Sequence, residues 1–559
     1  GFSMNVEEVQ RRLWEQSNGH KQYRQSGTPL FAVNPYEKRI RNLMDLMHQP
    51  DWLKEACERV MVRSRGKAPG VDGVTTRMFQ KGLEGKLEML RLELKHGTYL
   101  PQPVKRVMIP KPNGKMRALG IPCLRDKIVQ EAMRMALEPI FEVEFHDNSY
   151  GFRPNRNTHH AVFRCQQLMQ RNFTWVIEGD VKACFDEISH KSILKALREK
   201  VMDNRFLDLV CRFLKAGVEI EGVVQPTEKG VPQGGVISPL LANVVLNKLD
   251  WFLQHKGTHG NVMQRAARKR EPNVRFARYA DDWCVFITRA SKRYAETLRD
   301  QIQQFLKHEC ELELSMEKTH VTHVRDGFEF LGFRLTLEIG QSGRPVPKIK
   351  ISLDAKRNLK QRLEEAIRRR PQQESIALRI NRGSAVVRGW SEYYRIACDF
   401  TDKAATFDHW AFWTAIKAIC RKLDIPTGAC MKRFYRNTTV YVDEYCQLET
   451  FSGKKMKLDY RGPEPYMPGN GTYETDPQMD ADFSKYAERQ RFGSNDHKYL
   501  ALKHDGYKCQ KCGKPVTDLT SQVDHIVPVK CFASFALAST PENLQTLCLD
   551  CHEEKHHAE

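Results

Sequence analysis

Two adjacent acids interrupt an apolar stretch, RFARYADDWCVFIT, at residues 275–288. Apolar residues flank Asp281 and Asp282 on both sides, a pattern that predicts a buried β-hairpin with the acids at its tip. An unpaired buried carboxylate is so unfavourable that each acid needs a cation or a charged partner. A solvated Asp-Asp turn is the alternative, and the apolar flanks argue against it.

A second acid ends another predicted strand. The stretch WVIEGDVKACFDEI (175–188) reads as a strand that terminates at Asp180. In a sheet that places this strand beside the hairpin, three carboxylates would converge. Hard oxygen ligands of that kind suit Mg²⁺, and two such ions about 3.5–4 Å apart stabilise both oxygens of a phosphoryl transfer.

Length and charge set the broad class of the protein. A chain of 559 residues suggests about three or four domains. Its 89 basic and 69 acidic residues give a net charge of +20, which indicates a polyanionic partner, although a merely solubilising surface is the alternative. No apolar run is long enough to span a bilayer and no leader is recognised, so we expect a cytoplasmic protein that does not contact membranes. The residues before Met4 look like an expression scar.

Basic residues cluster in the region 348–395, which holds 13 Lys or Arg against 5 acids. Within it, 352–371 predicts an amphipathic helix, with Asp354 as a candidate N-cap. Further along, 432–445 and 452–462 interleave aromatic and basic residues, a pattern suited to stacking on bases while holding phosphates. The Pro- and Gly-rich stretch 462–482 reads as a linker.

Paired cysteines mark the end of the chain. CQKC (509–512) and CLDC (548–551) are separated by 35 residues, and Cys509, Cys512, Cys548 and Cys551 form a strong candidate for a structural Zn²⁺ site. The remaining Cys531 is expected to be a buried thiol.

Six blocks in order give the chain a specific resemblance. They are IPKPNGKMRALGIPCLRDKIVQ (109–130), GDVKACFDEI (179–188), GVPQGGVISPLLAN (230–243), YADD (279–282), SMEKTH (315–320) and FEFLGF (328–333). Together they resemble reverse transcriptases, most closely the proteins encoded by bacterial group II introns. GKAPGVDGVT (66–75) and RGWSEYYR (388–395) are similar to the finger block and the maturase region of that subfamily.

The resemblance implies roles for individual residues. Asp180, Asp281 and Asp282 would be catalytic and hold two Mg²⁺ ions, with the Val181 carbonyl contributing. Phe185 would be the steric gate that excludes a ribose 2′-hydroxyl. The other residues implied to bind nucleotide, template or primer are Lys111, Arg117, Gln233 and Lys318. For the three basic residues among them, a solvated surface charge is the alternative.

The last fifty residues resemble an HNH nuclease, through VDHIVP (523–528), ENLQTLC (542–548) and the histidine that follows Cys551. This implies that His525 is a general base, that Asp524 and His552 hold a divalent ion, and that Asn543 orients His525 or its loop. His556 and His557 are alternatives to His552. A purely structural zinc ribbon would explain the cysteines but not these other residues.

The implied fold is multidomain α/β. An N-terminal extension (1–33) precedes right-hand polymerase fingers and palm (34–345, α+β), and a helical thumb or maturase domain follows (346–425). A DNA-binding region and linker (426–490) and a zinc-stapled ββα-metal HNH domain (491–559) complete it.

The function expected is that of a mobile group II intron reverse transcriptase. It would bind intron RNA, assist splicing, nick target DNA and copy RNA from the nick using dNTPs, as part of a bacterial ribonucleoprotein. Three alternatives stay open: a splicing cofactor with a vestigial polymerase, a reverse transcriptase of another system, and an RNA-templated RNA polymerase. The sequence also leaves open whether the chain forms a homodimer.

Overall fold

The structure is a computed structural model. It describes residues 3–25, 39–64, 67–110, 115–257, 269–370, 372, 374–444, 446–457, 461–474, 497–517, 520–528, 531 and 540–558. The chain divides into two compact units. The first contains the described residues of 1–111, 116–349 and 459–480, and the second those of 112–115, 350–458 and 481–559. The protein is therefore a mixed α/β chain with more than one domain.

The strands of the chain up to residue 351 form three sheets. They are β1 (Val104–Pro110), β2 (Met116–Ile121), β3 (Trp175–Asp180), β4 (Val218–Ile220), β5 (Val223–Gln225), β6 (Asn273–Tyr279), β7 (Asp282–Thr288), β8 (His320–His323), β9 (Phe328–Phe330), β10 (Phe333–Ile339) and β11 (Pro345–Ile351). Their orders are β2-β1-β4-β5, β6-β7-β3-β8 and β11-β10-β9. The second of these is called the palm sheet below.

The first unit also contains the described helices of the chain up to residue 305. They are α1 (Val6–Gln25), α2 (Leu43–Met47), α3 (Pro50–Ser64), α4 (Thr76–Gln80), α5 (Leu83–His96), α6 (Leu124–Glu142), α7 (Thr158–Gln170), α8 (Cys184–Glu187), α9 (His190–Arg198), α10 (Asn204–Leu214), α11 (Ser238–Lys256) and α12 (Lys292–Phe305). α6 is buried along almost its whole length, as expected of a helix that is covered on all sides. Trp52 on α3 fixes it by donating to the Ala132 carbonyl oxygen at 3.0 Å.

One core connects the helices to the palm sheet. Ile177 on β3, Val285 on β7 and Leu241 on α11 all belong to it. Residues 283–288 of β7 are buried without alternation, because the strand lies between β6 and β3 and is covered on both faces. The sequence-based prediction of a buried hairpin is thereby confirmed.

The second unit begins with a helical region. Its helices are α13 (Leu353–Leu363), α14 (Ile376–Tyr394), α15 (Phe400–Leu423) and α16 (Thr427–Phe434). A π-helical turn, Glu364–Arg368, continues α13. The predicted cap of α13 is wrong: the Ser352 side chain, not Asp354, accepts from the Ala355 amide at 3.0 Å. Ser352 has the extended backbone that an N-cap requires, whereas Asp354 already lies inside the helix.

Short strands and a small C-terminal fold complete the second unit. β12 (Tyr435–Arg436), β13 (Thr439–Asp443) and β14 (Cys446–Gln447) form one sheet, and β15 (Ser521–His525) pairs with β16 (Leu544–Cys548). α17 (His497–His504) and α18 (Leu549–Ala558) are the C-terminal helices. None of the helices in the described part of the chain is both long and apolar enough to cross a bilayer.

Candidate active sites

Asp180 and Asp282 face each other across two paired strands. β3 ends at Asp180, β7 begins at Asp282, and their antiparallel register places these residues directly opposite each other. Side chains opposite each other in such a pair have Cβ atoms about 4.5–5.5 Å apart. Tyr279 pairs with Asp282, so a two-residue turn, Ala280-Asp281, connects β6 to β7. The three predicted carboxylates therefore lie at one end of the palm sheet.

A buried arginine supports the turn that carries Asp281. Arg278 donates to the carbonyl oxygen of Ala280 at 2.7 Å, and its guanidinium also makes two bonds, of 2.7 and 2.8 Å, to the Asp250 carboxylate. Both charged side chains are fully buried. Ala280 adopts a φ of 55°, a strained value for a non-glycine residue that surrounding contacts must maintain.

The sequence analysis did not single out Arg278 or Asp250. An arginine in a strand of charged and apolar residues usually faces solvent, and its partner lies 28 residues away on α11. The signal that could have found Arg278 is its position inside the hairpin that carries the acids.

Gly179, the residue before Asp180, is required by close packing. It lies opposite Trp283 in the β3–β7 register. A Cβ atom at position 179 would lie 1.9 Å from the indole ring of Trp283, far inside any allowed contact. The absence of a side chain thus lets the Trp283 indole lie across β3, which fixes the spacing of the two acid-bearing strand ends.

The carboxylates influence one another electrostatically. Burial, together with the charge of Asp180, raises the pKa of Asp281. The protein packed around Asp282 and the charges of Asp281 and Asp180 raise its pKa to about 7, even though its side chain remains accessible to solvent. Lys318 Nζ lies 3.7 Å from an Asp180 carboxylate oxygen. A cation between the acids would remove the repulsion and favour their charged forms.

The Gly-rich loop 230–237 lies alongside Phe185. The Val231 amide donates to the Phe185 carbonyl oxygen at 2.6 Å, and the Gly120 amide of β2 donates to the Gln233 carbonyl oxygen at 2.7 Å. Gly230 has a φ of 84°, and a Cβ there would lie 2.5 Å from a backbone oxygen. The loop therefore connects the palm to β2 and places Gln233 between them.

The other predicted nucleotide-binding residues lie on different elements. Arg117 is on β2 opposite Ile109, Lys318 ends the short 3₁₀ turn Met316–Lys318, and Val181 is a buried residue directly after Asp180. Lys111 falls outside the described residues. The structure gives these positions, and the roles of the side chains stay predictions.

The segment 461–474 belongs to the first unit and packs beside the active-site hairpin. The Tyr279 hydroxyl donates to Glu474 Oε2 at 2.8 Å, and the Thr158 hydroxyl donates to Glu474 Oε1 at 2.9 Å. The Tyr473 hydroxyl bonds to Glu138, and the guanidinium of Arg134 lies 5.0 Å from the centre of the Tyr473 ring. Composition alone indicates a linker here. The aromatic residues within this segment were the signal that could have predicted its packing against the rest of the first unit.

A ββα arrangement organises the second candidate site. β15 and β16 pair antiparallel with His525 opposite Leu544, and α18 follows β16. Asn543 fixes the loop after His525: its side chain accepts from the Val527 amide at 2.8 Å and donates to the Val527 carbonyl oxygen at 3.1 Å. Its own carbonyl oxygen accepts from the Ile526 amide at 2.7 Å. These contacts hold the loop that follows His525.

Asp524 and His525 share a lysine neighbour on α18. Lys555 Nζ lies 2.8 Å from Asp524 Oδ2 and donates to the His525 carbonyl oxygen at 3.1 Å. Burial lowers the pKa of His525. The negative charge of Asp524 acts to raise this pKa, and the positive charge of Lys555 lowers it further. A neutral imidazole is the form that accepts a proton. His552 is a half-buried residue of α18, and the side chains of His556 and His557 lie outside the described residues.

Cys509, Cys512, Cys548 and Cys551 form a compact cluster. Their sulfur atoms all lie within 4.8 Å of one another, and among the described residues no other group of three or more potential ligands is so compact. The apolar core around them, which includes Leu502, Val516 and Leu547, is small. The predicted burial of Cys531 is wrong, because this thiol is exposed.

Arginines surround a cavity of about 450 Å³ in the helical region of the second unit. The basic side chains that line it are Arg368, Arg369, Arg370, Arg379 and Arg421. The π-helical turn at the end of α13 brings the first three together, and turns of this kind often occur at functional sites. Glu364 pairs with Arg368 at 3.3 Å and Glu374 with Arg370 at 2.5 Å. The arginines outnumber these two acids, so the cavity keeps a surplus of positive charge.

Comparison with protein-family models assigns the main regions. Residues 109–335 match the model of reverse transcriptase (RNA-dependent DNA polymerase), 356–435 the group II intron maturase-specific domain, and 509–558 the HNH endonuclease. These matches and the paired acids of the palm sheet define an RNA-directed DNA polymerase that carries a nuclease.

Curated relatives extend this assignment. Protein YkfC of Escherichia coli is 44% identical over 327 residues, covering 55% of this chain and 85% of its own. The group II intron-encoded protein LtrA of Lactococcus lactis is 28% identical over 443 residues, covering 70% of this chain and 71% of its own. The putative COX1/OXI3 intron 2 protein of Saccharomyces cerevisiae is 29% identical, covering 67% and 51%.

The chain belongs to the group II intron-encoded reverse transcriptases that combine polymerase, maturase and HNH endonuclease domains. The sequence-based identification of the family, and of its reverse transcriptase, maturase and endonuclease functions, is confirmed. Membership implies that the protein binds intron RNA and that nucleic acid and dNTPs are its substrates.

Proposed function

We propose that the protein performs target-primed reverse transcription. The HNH domain nicks one strand of target DNA, and the polymerase extends the new 3′ end with intron RNA as template. The observation that carries the polymerase part is the register of the palm sheet, which sets Asp180 directly opposite Asp282 with Asp281 in the adjoining turn.

The acids of the palm sheet form a donor set that fits Mg²⁺. Asp180, Asp281 and Asp282 would hold two ions, with the Val181 carbonyl as a further oxygen donor. Bound there, Mg²⁺ stabilises negative charge on the attacking and leaving oxygens. The raised pKa values of Asp281 and Asp282 support this assignment, because crowded carboxylates gain most from a bound cation.

The protein's own side chains would position the nucleotide. Arg117 and Lys111 neutralise the triphosphate, and the planar guanidinium can bind phosphate through two nitrogens. The Phe185 ring occupies the volume that a 2′-hydroxyl would need. Gln233, held between β2 and Phe185, contacts the nucleotide and the template, while Lys318 lies near the primer.

The polymerase proposal is tested on a primed RNA template. Asp281→Asn should abolish cDNA synthesis while intron RNA binding is retained. Asp300→Asn is the matched control, because Asp300 is an exposed residue of α12 that pairs with Arg299 on the same helix. Full synthesis by Asp281→Asn would contradict the metal assignment.

The second proposed reaction is hydrolysis of a DNA phosphodiester. His525 accepts a proton from the attacking water, Asp524 and His552 hold a divalent ion, and Asn543 maintains the loop after His525. The bond from the Asn543 amide group to Val527 and the ββα arrangement support this assignment.

Nicking of a labelled duplex tests the nuclease. His525→Ala should stop nicking without changing cDNA synthesis, whereas the exposed His504→Ala should affect neither. A His525→Ala protein that nicks normally would exclude the general-base role.

A structural Zn²⁺ ion is proposed at the four-cysteine cluster. The set of four sulfur donors matches the preference of zinc, and a fold with so small an apolar core needs a further source of stability. Metal analysis of the purified protein should give one zinc per chain.

The arginine-lined cavity is proposed to bind phosphates of the intron RNA. It lies within residues 356–435, which match the maturase-specific domain, and guanidinium groups are well suited to phosphate. Arg369→Ala/Arg421→Ala should weaken intron RNA binding and reduce the salt dependence by about one unit of slope per lost contact. Arg357→Ala, at an exposed position on α13, is the control. Unchanged affinity and slope would contradict this role.

The finer domain assignment is part of the same proposal. Residues 34–345 would form the fingers and palm, 346–425 the thumb, 426–490 the DNA-binding region and 491–559 the endonuclease. We further propose that the protein acts in the bacterial cytoplasm as a ribonucleoprotein. Whether it is a homodimer is measurable by light scattering of that particle.

A further inference from the structure

Phe152 presents an apolar ring next to the proposed gate residue. Its side chain is 45% exposed, although it is large and apolar. The ring centre lies 6.4 Å from that of Phe185, with the planes at 83°, and 6.3 Å from that of Tyr279. These distances fall in the range of favourable edge-to-face and tilted aromatic pairs. Phe152 therefore connects the gate residue to the hairpin that carries Asp281 and Asp282.

The backbone of Phe152 is held in an unfavourable conformation. Its φ is 54°, a value that a bulky residue rarely adopts. A Cβ on Gly151 would lie 2.4 Å from the Ala280 amide nitrogen, so the two backbones are in direct contact. The Asn243 side chain donates to the Gly151 carbonyl oxygen at 2.7 Å.

The next residue fixes the other side of Phe152. The buried Arg153 binds both carboxylate oxygens of Glu142 at 2.9 Å and donates to the Ser149 carbonyl oxygen at 2.6 Å. In addition, the Tyr150 amide donates to the Arg278 carbonyl oxygen at 2.8 Å. The segment that carries Phe152 is thus bonded to the hairpin of Asp281 and Asp282 on one side and to Glu142 on the other.

Fold stability does not account for this arrangement. An exposed ring gains little from burial, and the left-handed backbone would suit glycine or asparagine better. Strained residues that their surroundings maintain cluster at functional sites. The ring is aimed at Phe185, whose own side chain is only partly buried.

We infer that Phe152 is a positioning residue that holds the Phe185 ring in place, so that discrimination against ribonucleotides depends on both rings. The inference rests on the proposed role of Phe185 as the steric gate. A gate excludes a 2′-hydroxyl only if its ring cannot rotate away when the wrong sugar arrives. Locking a functional rotamer through packing against a neighbour is how such a site is kept selective.

Single-nucleotide incorporation on a primed RNA template tests the inference. kcat and KM are measured with dNTP and with the matching rNTP for the wild type, Phe152→Ala, Phe152→Tyr, Phe185→Ala and the double variant Phe152→Ala/Phe185→Ala. Alanine at position 152 keeps a Cβ atom, so the left-handed backbone there is as unfavourable for the variant as for the wild type. Tyr294→Ala, which removes an exposed ring from α12, is the matched control.

The expected result is a selective loss of discrimination. Phe152→Ala should lower the ratio of dNTP to rNTP efficiency by roughly three- to tenfold, mainly through a better KM for rNTP, as expected for loss of one aromatic contact. Phe152→Tyr should give the same ratio as the wild type, and Tyr294→Ala should also leave the ratio unchanged. The double variant should match Phe185→Ala, because a residue that acts through another adds nothing once that residue is gone.

Two results would overturn the inference. One is an unchanged ratio in Phe152→Ala while Phe185→Ala loses discrimination. The other is an equal fall in both efficiencies, which marks a purely structural role. Failure of the proposed polymerase function is distinguishable, because the wild-type protein itself would then not extend the primer.

Discussion

Replacing Arg278 with methionine should destabilise the polymerase unit strongly. The substitution leaves the carboxylate of Asp250 buried without its partner, since both side chains are fully buried and joined by two short hydrogen bonds. Breaking a buried pair from one side costs about 3–5 kcal/mol. Because the melting temperature of a unit larger than about 250 residues shifts by only roughly 1–2 °C per kcal/mol, the unfolding transition of this unit should fall by about 5 °C.

Differential scanning calorimetry of the full chain measures this change. Arg299→Met is the control, because Arg299 is only partly buried and its 3.3 Å partner Asp300 is exposed, so this pair should contribute less than about 1 kcal/mol. The variant Arg278→Met/Asp250→Leu should regain much of the stability, since no buried charge is left.

Activity should not return with stability. The double variant still lacks the bond from Arg278 to the Ala280 carbonyl oxygen, which supports the turn of Asp281. We therefore expect cDNA synthesis to stay low in a protein that melts near the wild-type temperature. A melting temperature of Arg278→Met within about 2 °C of the wild type would refute the buried-pair reasoning. Full synthesis by the double variant would refute the role of the bond to the turn.

Three further predictions follow from the geometry. Gly179→Ala should abolish cDNA synthesis, because a Cβ would lie 1.9 Å from the Trp283 indole; normal synthesis with unchanged stability would contradict this packing. The pKa of Asp282 is about 7, so protons compete with cations for this carboxylate as the pH falls through 7. The Mg²⁺ concentration for half-maximal synthesis should therefore rise from pH 8 to pH 6. A concentration that stays the same over this range would show that the pKa of Asp282 is not raised. Lys555→Gln should lower the divalent-ion concentration needed for nicking, because the ammonium lies 2.8 Å from Asp524; an unchanged requirement would show that the two do not compete.

Local sequence patterns predicted much of the polymerase core. The period of the apolar residues indicates the hairpin around Asp281, and the strand that ends at Asp180 follows from its run of apolar residues. The four cysteines were recognisable by their spacing alone, because two Cys-x-x-Cys pairs can surround one ion. In each case the chemistry depends on residues that are close along the chain or repeated at a fixed spacing.

Other parts of the sites could not be predicted in this way. Phe152 belongs to a loop, and its proximity to Phe185 depends on the contact between the Gly151 and Ala280 backbones. The docking of Glu474 against Tyr279 joins residues 195 positions apart.

The sequence by itself supplied the candidate chemical groups. Residue type and spacing pointed to three acids for the polymerase and to four thiols, and the resemblance to HNH nucleases pointed to a histidine and an aspartate. Only the tertiary structure decided that Asp180 lies opposite Asp282, that Arg278 supports the turn of Asp281, and that Phe152 contacts Phe185. The physical reason is that register and packing arise from contacts between segments far apart in the chain, where each local pattern is compatible with several arrangements.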